Sequence, residues 1–469
     1  MKMEMADNIS SGNPYTRGIA EFVSNLRYDA IPPEVRTRIK LLMLDAFGCG
    51  IYGADLEWSR ILQQQLGVLD TTQASVVWGT SQKLSGPHAA LVNGTQVQGF
   101  ELDDMHQQGI MHTGCLVLPA LLSVAEGRAG MSGKEFLTAA VSGYEVGPRV
   151  GIAMNPEHIT QGWHSDATCG TFAAAAAAAR GLGLDAERTI HALGIAGTQA
   201  AGLMAAQYGA MVKRMHAGRA SQSGLYGAHL ANGGFTGITN VFESEYGGFC
   251  TTFSRSHDRF RMAELTAGFG QVWQTMGVRL KFYSCIGTVH AALDAIRDMQ
   301  AQRPFGANDV EKIVVHGSQI TFERVGWKYV PQGITSGQLN MGYCLATWLI
   351  DGACFIDQFT KDKVADPERI ALAHKVITLH DPEITAKGLD YRWMVRMEVY
   401  FKDGTRIEVT RKAPRTQETF ASEAEVVEKF EMLATKVLPK AQVAKLRDAM
   451  LNLEQMADAA ELARLMAKP

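Results

Sequence analysis

Acidic and imidazole side chains are concentrated in one glycine-bounded segment of this 469-residue chain, GFELDDMHQQGIMHTG at 99–114. A carboxylate next to a histidine orients the imidazole and tunes its pKa for proton transfer near neutral pH. The same side chains could instead bind a divalent metal, or form a polar loop that caps a helix. The candidate groups of this segment are Glu101, Asp103, Asp104, His106 and His112.

A second candidate is the basic segment KRMHAGRASQSG at 213–224, in which Lys213, Arg214, His216 and Arg219 are followed by small residues. Such cations recognise carboxylates or phosphates, and arginine can do so with two parallel hydrogen bonds. A solvated face is the alternative, but it would not need the interleaved alanine, glycine and serine. The chain lacks a GxxxxGKS pattern, so nucleotide phosphate binding has weak support.

The segment QGWHSDATCGTF at 161–172 places His164 directly before an alanine-rich run. Ser165 or Thr168 is expected to cap the helix that follows, whose N-terminus would attract an anion. The alternative is that His164 is a packed structural histidine.

In VRLKFYSCIGTVHAALDAI at 278–296, Lys281 precedes a short turn. His290 and Cys285 in the same segment are expected to be core residues, because single histidines and cysteines on apolar faces are usually buried.

Composition narrows the function classes. The net charge of −3, with 46% hydrophobic and 20% charged residues, is typical of a globular protein without overall attraction to nucleic acid or acidic membranes. Seven cysteines without a CxxC pattern argue against a disulfide framework and a zinc knuckle, and favour the cytoplasm. The N-terminus lacks the apolar core of a secretory signal, and no apolar run reaches the roughly 18 residues of a membrane span.

Hydrophobic periodicity predicts a mainly α protein. Residues 1–270 read as a large helical domain, completed by C-terminal helices at 411–469. Ser132 and Glu135 have capping-box spacing at the start of one helix. Residues 271–410 read as a smaller α/β domain, with strands over VEKIVVHGSQITF and a hairpin that turns at Asp403-Gly404.

Several of these stretches together resemble the MmgE/PrpD family, which includes 2-methylcitrate dehydratase, cis-aconitate decarboxylase and iminodisuccinate epimerase. The resemblance runs along nearly the whole chain, and its pattern is closest to the fungal cis-aconitate decarboxylases. It is carried by the order and spacing of ELDDMHQQGIMHTGCLVLPALLSVAE, GWHSDATCGTFAAAAAAARGLGLD, GIAGTQAAGLMAAQYGAMVKRMHAGRASQSGL, VFESEYGGF and LKFYSCIGTVHAALDAI.

The resemblance implies a homodimer in which the smaller α/β domain forms a lid over a cleft in the helical domain. It implies neither a metal nor an organic cofactor. The active-site positions of the family fall on Glu101, Met105, His112, His164, Lys213, Lys281 and Tyr343. We expect catalysis by His112, Lys213, His164 and Tyr343, and substrate binding by Glu101, Asp104, Met105, Arg214 and Lys281.

The sequence departs from the common family pattern at Glu101, where many members have Asp, and at Met105, where many have Thr. The HTG after Met111 replaces His-Pro-Ser or His-Pro-Gly, and Ile286 stands where mammalian decarboxylases have histidine. These departures leave the identity of the substrate open among several small acids.

The expected function is that of a cofactor-independent lyase acting next to a carboxylate of a small di- or tricarboxylic acid, with cis-aconitate decarboxylation first. The alternatives are iminodisuccinate epimerisation, 2-methylcitrate dehydration, and an inactive homologue that only binds carboxylates. The expected partners are a small carboxylate and a second copy of the chain, with no nucleic acid and no membrane.

Overall fold

The computed structural model describes residues 12–469 and confirms a mainly α fold with a smaller sheet-containing part. The α-helices, in chain order, are α1 Pro14–Asn25, α2 Pro33–Gly53, α3 Glu57–Leu69, α4 Gly86–Gln98, α5 Gly114–Gly127, α6 Gly133–Met154, α7 Glu157–Thr160, α8 Ser165–Thr168, α9 Gly170–Leu182, α10 Ala186–Gly197, α11 Val212–Asn232, α12 Phe249–Ser254, α13 Gly287–Gln302, α14 Gln319–Val325, α15 Ile334–Gln338, α16 Met341–Asp351, α17 Lys361–Val364, α18 Pro367–Ala373, α19 Pro382–Ala386, α20 Arg415–Glu418, α21 Glu423–Ala434, α22 Lys440–Leu451 and α23 Ala460–Met466.

The strands are short except in one four-stranded sheet. They are β1 Ser75–Val76, β2 Lys83–Leu84, β3 Met105–His106, β4 Val278–Arg279, β5 Val310–Gly317, β6 Val376–His380, β7 Val395–Phe401 and β8 Arg406–Arg411. Single 3₁₀ turns connect several elements, at Tyr28–Ala30, Met204–Tyr208, Met262–Leu265, Gln274–Gly277, Ala307–Asp309, Ile356–Gln358, Leu389–Tyr391 and Leu453–Gln455.

Local signals in the sequence explain where several helices begin. The predicted capping box is confirmed at α6, where the Ser132 hydroxyl accepts from the Glu135 backbone N–H and the Glu135 carboxylate accepts from the Ser132 N–H. Pro33 occupies the first turn of α2, where its fixed φ suits the helix and its missing N–H has no helical partner to lose.

The alanine-rich helix α9 lies in the core and packs against α6 and α11. Helix α11, which begins with the basic segment, crosses α4 and α9 at close range because its inward positions are small. A Cβ on Gly218 would lie 1.9 Å from the Leu91 carbonyl oxygen, and one on Gly224 would lie 2.4 Å from the Ala175 nitrogen. Small residues at these positions are therefore required for α11 to sit where it does.

The four-stranded sheet has the order β6-β5-β7-β8, with β5 parallel to β6 and antiparallel to β7. The predicted hairpin of β7 and β8 is confirmed, and Gly404 in its turn has a φ of 82°. The prediction that the first strand runs through SQITF is wrong after Gly317. There, the Ser318 side chain accepts from the Thr321 N–H and starts helix α14 instead.

The C-terminal helices return to the N-terminal half of the chain. Helix α21 packs against α2, and its buried Lys429 forms an ion pair with Asp45 at 2.6 Å. The same ammonium donates to the Leu102 carbonyl oxygen at 2.6 Å, which fixes the beginning of the acidic segment. The predicted domain limits at 270 and 410 stay a prediction. No helix within residues 12–469 has both the length and the apolar character needed to cross a bilayer.

We predict that Gly218→Ala destabilises the protein, because the new methyl group would collide with the backbone of α4 rather than with a movable side chain. The cost should be at least about 2 kcal/mol and lower the midpoint of thermal denaturation. Gly127→Ala is the matched control, because a Cβ there meets no atom within 4 Å. Equal midpoints for the two variants would contradict the close approach of α11 and α4.

Candidate active site

A buried carboxylate surrounded by three cations forms one wall of the site. The Glu101 side chain accepts from the Lys213 ammonium at 2.6 Å, from the Lys281 ammonium at 3.0 Å and from the Arg214 guanidinium. Burial alone would raise the pKa of Glu101, but the three cations outweigh it and hold the pKa well below its usual range. One negative charge therefore meets three positive charges, and this wall carries an excess of positive charge.

Three separate elements bring these groups together. Glu101 follows the end of α4 and has a left-handed backbone with a φ of 58°. Lys213 and Arg214 lie in the first turn of α11, where the positive end of the helix dipole disfavours cations. The adjacent Glu101 carboxylate offsets this repulsion. Lys281 follows β4, which pairs with β3 of the acidic segment.

His112 lies next to two buried carboxylates. Its Nδ1 is 3.2 Å from Asp103 Oδ1, a charge contact rather than a well-aligned hydrogen bond, and its backbone N–H donates to Asp166 at 2.8 Å. Burial would lower the pKa of His112, but Asp103 and Asp166 outweigh both burial and the nearby Lys281, so the pKa is raised. The structure thus favours a protonated imidazole at this position.

His164 is in the opposite electrostatic situation, although it shares Asp166 with His112. Its Nε2 is 3.2 Å from Asp166 Oδ2, and its Nδ1 is 3.0 Å from His216 Nδ1. Burial, with the positive charge of Lys213 nearby, holds the pKa of His164 well below its usual range. His164 is therefore neutral at neutral pH, and the site holds one charged and one uncharged imidazole.

A cavity of about 170 Å³ lies next to these groups. Six predicted site residues line it, namely Glu101, Met105, His112, His164, Lys213 and Lys281. Sequence reasoning missed four further charged residues of the lining, which are Asp166, Glu323, Arg324 and Arg392. Asp166 could have been found from its position in the GWHSDAT stretch, whereas no local motif marks the two arginines. The apolar part of the wall is formed by Ile110, Ile159, Met204, Ile286 and Leu339.

The other three predicted site residues do not line this cavity. Arg214 lies behind Glu101, where its second contact is with Gln338 Oε1 at 3.0 Å. Tyr343 is buried in α16, and its hydroxyl donates to the Gln358 carbonyl oxygen at 2.9 Å. Both side chains therefore pack behind the cavity wall and do not face the cavity.

Asp104 is the third, and it holds the start of α5. Its carboxylate accepts from the Gly114 N–H at 3.0 Å and from the Tyr144 hydroxyl at 2.9 Å. Burial, with Asp103 nearby, raises the pKa of Asp104 to about 7. Sequence alone cannot separate Asp103 from Asp104, because the distinction depends on which side of the loop Tyr144 occupies.

Local contacts determine the cap of the alanine-rich helix and the role of His106. The predicted capping of the alanine-rich helix is wrong: its N-cap is Cys169, without a side-chain cap, and Thr168 donates to the His164 carbonyl oxygen. His106 is buried, with its Nε2 3.0 Å from Gln274 Oε1, and burial lowers its pKa to about 4. These contacts give His106 a structural role.

The acidic segment does not form a metal-ligand group. Within residues 12–469, the one set of three side chains close enough to share a metal ion is Cys285, Cys344 and Cys354. These cysteines are buried and do not line the cavity.

We predict that Asp103→Asn lowers the pKa of His112, because the carboxylate that most strongly favours the imidazolium is removed while burial remains. The measurement is an NMR pH titration of ¹³C-labelled histidines, in which His112→Gln identifies the resonance. Asp258→Asn, on the exposed surface, is the control and should leave the titration unchanged. A His112 pKa that is equal in the two variants would exclude Asp103 as the cause.

Comparison with known proteins identifies the family of this chain. The MmgE/PrpD N-terminal domain model matches residues 17–261, and the MmgE/PrpD C-terminal domain model matches residues 283–455. A cis-aconitate decarboxylase-like protein of Aspergillus oryzae is 34% identical over 99% of both chains. Cis-aconitate decarboxylases of Aspergillus terreus and Mus musculus are 34% and 25% identical, covering 100% and 97% of this chain and 99% and 93% of their own. The two domain matches and the full-length similarity show that this chain belongs to the MmgE/PrpD family.

Proposed function

We propose that this protein is a cis-aconitate decarboxylase that forms itaconate and CO₂ without a metal or organic cofactor. The observation that carries the proposal is a charged His112 facing the same cavity as Lys213 and Lys281. A proton donor and fixed cations are what a decarboxylation next to carboxylates requires. The similarity to fungal proteins named cis-aconitate decarboxylase supports the choice of acid.

The proposed reaction converts the cis-aconitate trianion and one proton into the itaconate dianion and CO₂. The bond between the saturated methylene carbon and its carboxylate breaks, and the electron pair spreads over the adjacent double bond. Lys213 and Lys281 stabilise the negative charge that develops on the remaining carboxylates. His112 then delivers its proton to the former alkene CH carbon, and the double bond moves to the carbon that lost CO₂.

The apolar part of the cavity lining suits the departure of CO₂. Met105, Ile286 and Leu339 present apolar surface to the cavity, at positions where polar side chains would retain water. A carboxylate loses its charge when it leaves as CO₂, so poor solvation favours that step. The departures from the common family pattern at Met105 and Ile286 are thus compatible with decarboxylation.

Epimerisation of iminodisuccinate is the second candidate, and one observation favours it. Two groups on opposite faces would have to exchange the α-proton, and Lys213 with His112 is the first pair to test. Burial, with Arg214 and Lys281 nearby, lowers the pKa of Lys213, as a proton-accepting lysine requires. Dehydration of 2-methylcitrate and binding without turnover are the remaining alternatives.

The test is to incubate the protein separately with cis-aconitate, 2-methylcitrate and one stereoisomer of iminodisuccinate, each followed by proton NMR in D₂O. We expect new vinylidene signals from cis-aconitate, with one deuterium in the saturated methylene of itaconate and none in the vinylidene group. Deuterium entry and a change of diastereomer in the imino acid, without reaction of cis-aconitate, would establish the epimerase. Binding of all three acids without turnover would identify an inactive carboxylate-binding homologue.

We predict that His112→Gln lowers kcat by about 10²- to 10⁴-fold, because the proton donor is lost. The melting temperature is measured alongside, because loss of the imidazolium removes a charge partner of the buried Asp103. His257→Gln, on the exposed surface, is the control. In the unsubstituted protein, kcat/KM should fall as pH rises through the elevated pKa of His112. An unchanged kcat in folded His112→Gln would remove this residue from the mechanism.

A further inference from the structure

Two arginines line the cavity without a carboxylate partner. Arg324 is in the last turn of α14, and Arg392 lies between a 3₁₀ turn and β7. Within the described part of the chain, neither guanidinium forms an ion pair, although most arginines of this protein do. Glu323 also reaches the cavity, but its carboxylate accepts from the Gln319 amide at 2.6 Å rather than from Arg324.

The side chain of Arg392 is held in place but only partly used. It is 7% exposed, and one of its terminal nitrogens donates to the Gln107 carbonyl oxygen at 2.6 Å. Its other two nitrogens make no hydrogen bond within residues 12–469, yet they are not among the atoms shut off from solvent. They are therefore accessible, and Arg392 is one of the residues that line the cavity.

Arg324 has even fewer contacts. No nitrogen of its side chain donates a hydrogen bond within residues 12–469, and none is shut off from solvent. Burial, and then the positive charge of Arg324, lower the pKa of Arg392 to about 10, so both side chains are cationic at neutral pH. Glu323 acts on Arg324 and Asp390 acts on Arg392 without forming an ion pair, and an anion bound between the two guanidinium groups would relieve their mutual repulsion.

The arginine pair is separate from the cations around Glu101. The Glu101 carboxylate forms its ion pairs with Lys213, Arg214 and Lys281, and neither Arg324 nor Arg392 is among its partners within residues 12–469. The cavity therefore has two positively charged regions, one on the wall formed by Glu101 and α11 and one formed by the sheet-containing part. An acid with carboxylates at both ends can contact both regions at once.

We propose that Arg324 and Arg392 form a carboxylate subsite that binds the substrate carboxylate farthest from the wall of Lys213 and Lys281. The subsite makes the protein selective for tricarboxylates over dicarboxylates, because each deleted carboxylate leaves a cation in the cavity unpaired. The role in turnover rests on the proposed decarboxylase function, whereas the binding of a tricarboxylate does not.

The experiment measures binding, so that it does not depend on chemistry. The probe is propane-1,2,3-tricarboxylate, a saturated acid without the double bond that decarboxylation requires, titrated by calorimetry into the full-length protein. We expect Arg324→Gln to weaken its binding about tenfold to a hundredfold, the equivalent of a lost charge-assisted hydrogen-bonding partner. The affinity of Arg324→Lys should lie between those of the unsubstituted protein and Arg324→Gln, because a lysine ammonium keeps the charge but cannot bind a carboxylate with two parallel hydrogen bonds.

Arg324 is the primary variant because its guanidinium makes no hydrogen bond or ion pair within residues 12–469 that the substitution would break. Arg392→Gln should have the same effect, with its melting temperature checked because it loses the contact with Gln107. Arg188→Gln, on the exposed surface, is the matched control for a change of one positive charge.

Glutarate and 2-methylsuccinate, each of which lacks one carboxylate of the probe, complete a double-mutant cycle. At least one of them should bind unsubstituted protein and Arg324→Gln with equal affinity. The proposal is overturned if the unsubstituted protein fails to bind the tricarboxylate, or if Arg324→Gln binds it normally. It is also overturned if all three acids lose affinity equally, which would indicate a general charge effect. Selective loss of tricarboxylate binding in a protein that leaves cis-aconitate unchanged would refute the decarboxylase and retain the subsite.

Discussion

The buried carboxylate of Glu101 is the interaction on which the site depends. Lys213, Arg214 and Lys281 are all largely removed from water, and the first two lie at the positive end of a helix dipole. Three such cations can be buried side by side only if an anion lies among them, since an unpaired buried charge costs several kcal/mol. Glu101 supplies that anion from a left-handed backbone position, and in doing so it joins the acidic segment, α11 and the segment after β4.

The surrounding fold holds these three segments close enough for their side chains to contact Glu101. Helix α11 reaches Glu101 because its glycines let it cross α4 and α9 with nearly touching backbones. The beginning of the acidic segment is fixed by Lys429 of a C-terminal helix, which is paired with Asp45 and donates to the Leu102 carbonyl oxygen. The remainder of the segment is anchored at the start of α5 by Asp104. Mobility of the reacting groups is therefore restricted from both ends of the segment.

Sequence reasoning predicted a structural feature correctly where one short segment contains all the residues that cause it. The Ser132 and Glu135 cap, the hairpin at Gly404 and the small residues after the basic segment belong to this class. It failed where a residue's role depends on a partner far along the chain. Asp103 and Asp104 are neighbours with opposite roles because Tyr144, 40 positions away, contacts only one of them. Arg324 and Arg392 have no local signature, because their significance lies in a cavity shared with residues of the other half of the chain.

The two imidazoles show how position, and not residue type, sets the protonation state. Asp166 acts on both, since it accepts from the His112 backbone N–H and lies beside His164 Nε2, so that carboxylate alone cannot distinguish them. The difference arises because His112 has Asp103 as a second anion, whereas His164 has Lys213 and His216 nearby. One imidazole is thereby kept charged and the other neutral within one cavity. Since Lys213 is itself held by Glu101, the ionic cluster around Glu101 also keeps His164 neutral.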